Sequence, residues 1–339
     1  IEPGCTMTLG PTGDPRVERY WQFAYRPAPA RSEADWIAAF RDTFVASVKR
    51  HLQADVPLGA FLSGGVDSTS VVAAMTKVMD EPVRTFTIGF PVQEFDESPY
   101  ARQVAAHLKC RHTERVVEID DASTILPKLA RCYDEPFADP SAIPTWYVSR
   151  MAREQVTVVM SGDGGDELFA GYERHINERL VQTRGALFAL ARLGALLPPL
   201  PSAKWNYFRQ RLGKVARDAA LPDTFQRFFS KSQLAPRAVR AKLYRPEFLA
   251  GLDVDHELER LAATYFPKPV SKDPVENLLY ADTVVRLPDD MLTKVDRASM
   301  AHSLEVRVPF LAHTFVDFAA TMPVDLKLRG TTGKWIVRK

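Results

Sequence analysis

Leu58-Gly59-Ala60-Phe61-Leu62-Ser63-Gly64-Gly65-Val66-Asp67-Ser68-Thr69-Ser70-Val71-Val72 is an apolar run, a glycine turn and a helix-like run in immediate succession. Strand, turn and helix in that order make a phosphate cradle. Adjacent glycines let backbone N–H groups approach an anion, and the N-terminus of the following helix adds unpaired donors. The Lys of the usual G-x-x-x-x-G-K-[ST] nucleotide motif is missing, and Asp67 stands in the loop instead. A carboxylate beside phosphates is useful chiefly when Mg²⁺ lies between them. The loop therefore points to pyrophosphate and metal, although Gly-Gly taken alone also marks ordinary strand-to-helix turns.

Around this loop the pattern alternates. Strands are expected at Leu58–Leu62, Val83–Phe90, Thr113–Ile119 and Val156–Met160, with helices at Thr69–Val78, Pro99–Leu108, Ser123–Tyr133 and Ile143–Arg153. Such spacing predicts parallel βαβ units, hence an α/β fold with an open, doubly wound parallel sheet. An amphipathic helix over 32–51, capped by Ser32 with Asp35, should precede it. Residues 1–30, rich in proline, read as an extended lead-in with a short strand near Cys5–Leu9. Residues 31–173 form the predicted nucleotide-binding core. After Gly171 the strand signals stop, so 174–339 is expected to be mainly helical.

Ligands of open α/β sheets bind at the carboxyl ends of strands. The strand ending Ile88-Gly89 offers backbone groups and an apolar edge to a planar base. A second glycine-rich turn, Ser161-Gly162-Asp163-Gly164-Gly165-Asp166-Glu167, follows the strand at Val156–Met160. Asp163 and Asp166 could reach a metal or a reacting group beside the first loop. An EF-hand reading fails for want of the 12-residue ligand pattern.

Bulk properties exclude several classes. With 44 basic and 42 acidic residues the net charge is +2, which argues against general nucleic-acid binding. Between Arg174 and Arg245 there are 15 Lys and Arg against 3 Asp and Glu, including Arg209, Arg211, Lys214 and Arg217. That excess reads as a solvated face or a cover over an anionic substrate site. Gly185–Pro201 is too short and too interrupted to span a bilayer; it reads as a helix stopped by prolines. Three cysteines without Cys-x-x-Cys spacing, and no signal peptide, point to a reducing compartment, the cytoplasm.

Three blocks in order resemble the glutamine-dependent asparagine synthetase family. Ser63–Ser68 looks like the PP-loop of ATP pyrophosphatases, Ser161–Tyr172 resembles that family's second signature, and Leu287–Leu311 is similar to its long C-terminal block. The resemblance covers the synthetase domain nearly end to end. It implies ATP and Mg²⁺ as cofactors and a small carboxylic acid, aspartate in the typical member, as substrate. Attack on the α-phosphate gives an acyl-adenylate and pyrophosphate, and ammonia then displaces AMP. On this resemblance Phe61, Leu62, Ser63, Gly64, Gly65, Asp67, Ser68, Ile88, Ser161 and Gly162 bind nucleotide. Asp67 and Asp166 hold the metal. Asp163, Lys294 and Arg297 are the catalytic candidates, while Glu305 and Arg307 brace their segment.

Departures temper these expectations. Full-length members begin with a glutaminase domain, so a glutaminase domain or subunit is expected as partner, with free ammonia used otherwise. A homodimer is compatible with the sequence. Relatives continue beyond a Gly-Lys-x-x-x-Arg stretch, here Gly333–Arg338, to a lysine thought to steady adenylation, which is expected beyond Lys339. Ala312 replaces the Asp usual after Pro-Phe-Leu. Two alternatives stay open: a β-lactam synthetase-like cyclase, disfavoured because Asp163 stands where those proteins usually carry Tyr, and a non-catalytic ATP-binding module.

Overall fold

The computed structural model describes residues 1–339 except 12, 27, 195–201, 203, 204, 207, 208, 210–212, 214, 215, 217, 218, 222, 234 and 252–255. Arg211, Lys214, Arg217 and the prolines at 198–201 thus lie outside the described residues.

Five parallel strands form the central sheet: β3 (Leu58–Phe61), β4 (Arg84–Gly89), β5 (Arg111–Val116), β6 (Val158–Met160) and β7 (Glu305–Arg307), in the order β5-β4-β3-β6-β7. The strands β1 (Cys5–Leu9) and β2 (Pro15–Arg19) precede them as a separate exposed antiparallel hairpin. From β3 the chain winds outward through β4 and β5, then crosses back to lay β6 on the other side of β3. Registers Ala60↔Thr85 and Ala60↔Met160 place β3 at the centre. The winding direction reverses between β3 and β6, and a reversal of this kind opens a crevice at the strand ends. The two glycine loops leave the sheet from these two strands.

Helix α1 (Glu33–His51) starts where the sequence predicts, with the Asp35 N–H donating to Ser32 Oγ at 3.1 Å. Its apolar stripe, Trp36, Phe40, Phe44 and Val48, is buried with Val71, Val72 and Met75 of α2 (Val66–Val78). Phe40 and Phe44 interlock with Phe169, Phe310 and Phe315 at centroid distances of 4.5–5.5 Å, joining the second glycine loop and the third sequence block to one core. Burying such a ring against others stabilises the fold by about 1.5–3 kcal/mol. Helix α3 (Ser98–His107) adds Ala101 and Ala105 to this same core, while α4 (Ile119–Tyr133) and α5 (Ala142–Arg153), which bury Ile125, Leu129 and Trp146 in a separate cluster, complete the βαβ connections.

Beyond the short α6 (Gly165–Phe169), α7 (Glu173–Gly194) begins a largely helical region. This includes α8 (Thr224–Ser232), α9 (Pro274–Ala281) and a π-helical stretch over Asp282–Leu292 that runs into α10 (Thr293–Met300). No described helix is long and apolar enough to cross a membrane, and the three cysteines are free.

Two expectations are corrected. Strands do not end at Gly171. β7 pairs with β6 in the register Val159↔Val306. Its three residues are too few to show alternation, and the neighbouring strand creates it: Glu305 N–H donates to Thr157 O at 3.0 Å and Ser161 N–H to Arg307 O at 2.9 Å. The lead-in is more than one strand, because β2 pairs with β1 although Arg16, Glu18 and Arg19 leave it without an apolar face.

Candidate active site

Gly64 turns the first loop at φ +80°, and a Cβ there would lie 2.6–2.7 Å from Tyr100 and Ala101 of α3. Only glycine fits both the angle and the space. Gly65 caps α2 without a side-chain bond, leaving the first-turn amides without intrahelical acceptors. Inside the turn, Ser63 N–H donates to Ser68 Oγ at 3.2 Å, and Ser68 Oγ donates to Gly65 O at 3.3 Å. The cradle is thus pre-shaped by its own serines.

The second loop is built against the first. A Cβ on Gly162 would lie 2.7 Å from Ser68 N and 2.9 Å from Asp67 Cβ, and one on Gly165 would lie 2.5 Å from Asp67 Cγ. Glycines of one loop therefore make the room in which the carboxylate of the other sits. Ser161 Oγ donates to Asp163 Oδ2 at 2.7 Å.

A cavity of about 490 Å³ opens over both loops. Its apolar end is formed by Phe61, Phe86, Ile88, Phe90 and Val148; its polar end by Ser63, Asp67, Ser68, Asp163 and Asp166. Volume and lining suit a ligand with a flat apolar part and a charged tail. Leu62, Ser161, Gly162 and Lys294 also line it. Gly64 and Gly65 shape the turn without lining the cavity. Arg297 is elsewhere: its guanidinium pairs with Asp134 at 3.1 Å, both half-exposed or more. Arg307 donates to the carbonyls of His51 and Gln53 at 2.7 Å each and bonds Glu305, bracing the segment as expected.

Lys334 is the residue that sequence reasoning missed. Its ammonium bridges the two expected metal ligands, bonding Asp67 Oδ2 and lying 2.7 Å from Asp166 Oδ1. The backbone delivers it there: Lys334 N–H donates to Phe169 O at 2.7 Å, and Gly333 packs so closely that a Cβ would meet Ala170 O at 2.1 Å. Lys334 thus brings an ammonium to the two carboxylates from within the Gly333–Arg338 stretch itself. Gly-Lys followed by Arg338 was its only sequence signal.

Burial lifts the Asp67 carboxyl to about 6, with Lys334 opposing and Asp166 adding to the rise. For Lys334 burial works against the charge, but Asp67 and Asp166 outweigh it and hold the ammonium's pKa above the ordinary lysine value. Burial likewise raises Asp163, against the bond from Ser161 and the charge of Lys294. Lys294 lies 3.4 Å from Asp139, whose other oxygen accepts from Ser141 N–H and Oγ. Glu167, buried and lifted by burial to about 7, accepts from Tyr172 Oη at 2.6 Å. The Tyr172 ring is stacked by Arg174 and Arg286 at 4.4 and 4.9 Å.

Asp67 Oδ1 is buried with no hydrogen-bond partner. No group of three or more His, Cys, Asp or Glu side chains is assembled for a metal among the described residues. A cation here would take two carboxylates and draw its other ligands from phosphate and water, the usual manner of Mg²⁺ at nucleotide sites. The residues fit that ion.

Residues 39–339 match the asparagine synthase family model. The chain belongs to this family. Asparagine synthetase [glutamine-hydrolyzing] 1 of Bacillus subtilis is 32% identical over 349 residues, covering 100% of this chain and 52% of the relative. A putative asparagine synthetase [glutamine-hydrolyzing] of Mycobacterium bovis is 32% identical, covering 100% and 51%. Amidase chyE of Penicillium rubens is 24% identical, covering 97% and 52%. The chain spans about half the length of these relatives.

Proposed function

We propose that this asparagine synthase family chain performs ATP-dependent amide formation: a substrate carboxylate is adenylated with release of pyrophosphate, and ammonia then displaces AMP. The observation that carries this reading is the Lys334 bridge between Asp67 and Asp166, two carboxylates that line the polar end of a cavity whose other end is apolar. In this reading the adenine lies against Phe61 and Ile88, and the amides and serines of 63–68 receive the departing pyrophosphate. Lys334 stabilises charge that develops at the phosphate during attack. Lys294 orients the attacking carboxylate. In this reading Asp163, whose pKa burial raises, takes a proton from the incoming ammonia. Mg²⁺, held by Asp67 and Asp166, would supply further neutralisation of the phosphates. The glutamine-hydrolysing names of relatives twice this length support a glutaminase as the ammonia source.

Aspartate is the first acid to assay, with ammonium as nitrogen donor. Pyrophosphate and AMP should appear in equal amounts, dependent on acid and Mg²⁺, and Asp67→Ala should abolish both without unfolding the chain. Orthophosphate and ADP as products would refute adenylation.

A further inference from the structure

Lys294 is a buried ammonium under the influence of two carboxylates. On α10, 7% exposed, it lines the nucleotide cavity together with Asp163. The ammonium's charge acts on the Asp163 carboxyl, yet no hydrogen bond or ion pair joins the two. Its ion-pair partner is Asp139, in the loop that leads into α5 and outside the cavity lining, with Oδ2 3.4 Å from Nζ. The backbone of Lys294 is fixed as well: buried Tyr133 donates from Oη to Lys294 O at 3.0 Å, and Ala298 of the same helix packs with Ala142 and Trp146 of α5. Only the stem of the side chain is left to choose where the ammonium goes.

Asp139 is built to hold one position. Its Oδ1 accepts from Ser141 N–H at 2.8 Å and from Ser141 Oγ at 2.7 Å, which sets the carboxyl plane. Oδ2, the oxygen that meets Lys294, is buried and accepts no hydrogen bond. At 3.4 Å the pair is longer than the roughly 2.7–2.9 Å of a charge-assisted hydrogen bond. An ammonium has three donors; one meets the weak acceptor Met291 Sδ at 3.6 Å, and none is consumed by a short bond to a carboxylate. Lys294 is therefore tethered while its donors stay available to a ligand in the cavity. A buried ammonium stripped of Asp139 would seek another carboxylate. Asp163, on the same cavity wall, is the one its charge already reaches, and a closed Lys294–Asp163 pair would use up both groups.

We propose that Asp139 is the positioning residue for acceptor binding: it tethers the Lys294 ammonium away from Asp163, so that the ammonium meets the acceptor's carboxylate and Asp163 stays unpaired. This rests on the adenylation reading above, in which Lys294 orients that carboxylate. Asp139→Asn keeps an oxygen for the two Ser141 donors and removes the charge that faces Lys294. Acid-dependent ATP–pyrophosphate exchange is screened over the protein amino acids, and the acid with the highest kcat/KM is carried forward. Asp139→Asn should raise KM for that acid by about tenfold or more, the effect of losing one charge-assisted hydrogen bond. KM for ATP and kcat should be unchanged, the signature of lost acid binding. In a Lys294→Met chain the same substitution should have no further effect, because a residue that acts only through Lys294 has nothing left to act on. A crystal structure of Asp139→Asn should show Lys294 Nζ bonded to Asp163. An equal loss in both backgrounds, or KM for acid and for ATP rising together, would make Asp139 a brace of the fold and overturn the proposal, as would a variant structure in which Nζ stays apart from Asp163. If no acid supports exchange in the parent, the adenylation reading fails, and the position of Nζ in the Asp139→Asn crystal decides the tether by itself.

Discussion

Replacing Asp67 by Asn should stabilise the protein while destroying its activity. The Asp67 side chain is 13% exposed, and burial lifts its carboxyl from 3.8 to about 6 even with Lys334 bonded to it. At 1.36 kcal/mol per pH unit, keeping this group ionised at neutral pH costs the fold about 3 kcal/mol. The sign follows from proton binding. The folded state holds the proton to higher pH than the unfolded chain, so the group's contribution is fully present below 3.8 and is lost as pH rises through about 6. Asp67→Asn imitates the protonated form at every pH. Its advantage over the parent should therefore be about 3 kcal/mol at pH 7.5 and shrink to about 1 kcal/mol at pH 4.5.

Urea unfolding followed by tryptophan fluorescence at pH 4.5, 6 and 7.5 measures this, with pyrophosphate release assayed on the same preparations. Parent activity should also fall as pH drops below about 6, where Asp67 takes up its proton and no longer serves Lys334 or a cation. A variant less stable than the parent at pH 7.5, or a gain that does not change with pH, would refute the argument. The first outcome would mean that Lys334 more than compensates the burial of Asp67; the second, that Asp67 takes up its proton at the same pH in the folded and unfolded chain.

Other perturbations separate the parts of the site. Lys334→Met leaves Asp67 and Asp166 without their shared cation: pyrophosphate release should drop by about 10²–10³, the size of loss seen on removing one preorganised charge-stabilising donor, with stability falling by about 3 kcal/mol in the same urea titration. Gly162→Ala drives a methyl into Ser68 N and Asp67; pushing the loops apart should raise the ATP Kd at least tenfold by calorimetry. Tyr172→Phe removes the donor to Glu167, so its carboxyl should rise further above about 7; the variant should lose about 1.5–3 kcal/mol at pH 8, and less at pH 5, where Glu167 is protonated. Ala312 caps the helix His313–Thr321 without a side-chain bond, and Ala312→Asp should add about 1 kcal/mol to unfolding free energy with activity unchanged.

How legible these features were in the sequence depended on the range of the forces that make them. The first loop was legible because strand, glycine turn and helix are local, and both its φ angle and its free amides follow from adjacent residues. The sheet from β3 to β6 was legible for the same reason, with boundaries shifted by a few residues. β7 was not: its neighbour in the sheet, β6, lies some 150 residues earlier, and only that partner turns Glu305-Val306-Arg307 into a strand. Arg297 was misplaced for a geometric reason. Three residues along an α-helix is about 60° of rotation from Lys294, enough here to carry a guanidinium from the cavity to Asp134 on the surface.

Lys334 shows the same limit most sharply. A lysine 267 residues from Asp67 has no local pattern to mark it, and its ammonium is useful only because Ala170 and Gly333 pack backbone against backbone. The carboxylates, by contrast, advertised themselves through the glycines around them. Those glycines had two functions, and the sequence displayed one. Gly64 bends the chain, which is visible in a strand-to-helix turn. Gly162 and Gly165 vacate space for a side chain of the other loop, which is visible only once both loops are in place. The pairing of two carboxylates with one cation is therefore a property of the switch point between β3 and β6, where the fold brings two local motifs to the same crevice and a distant lysine closes it.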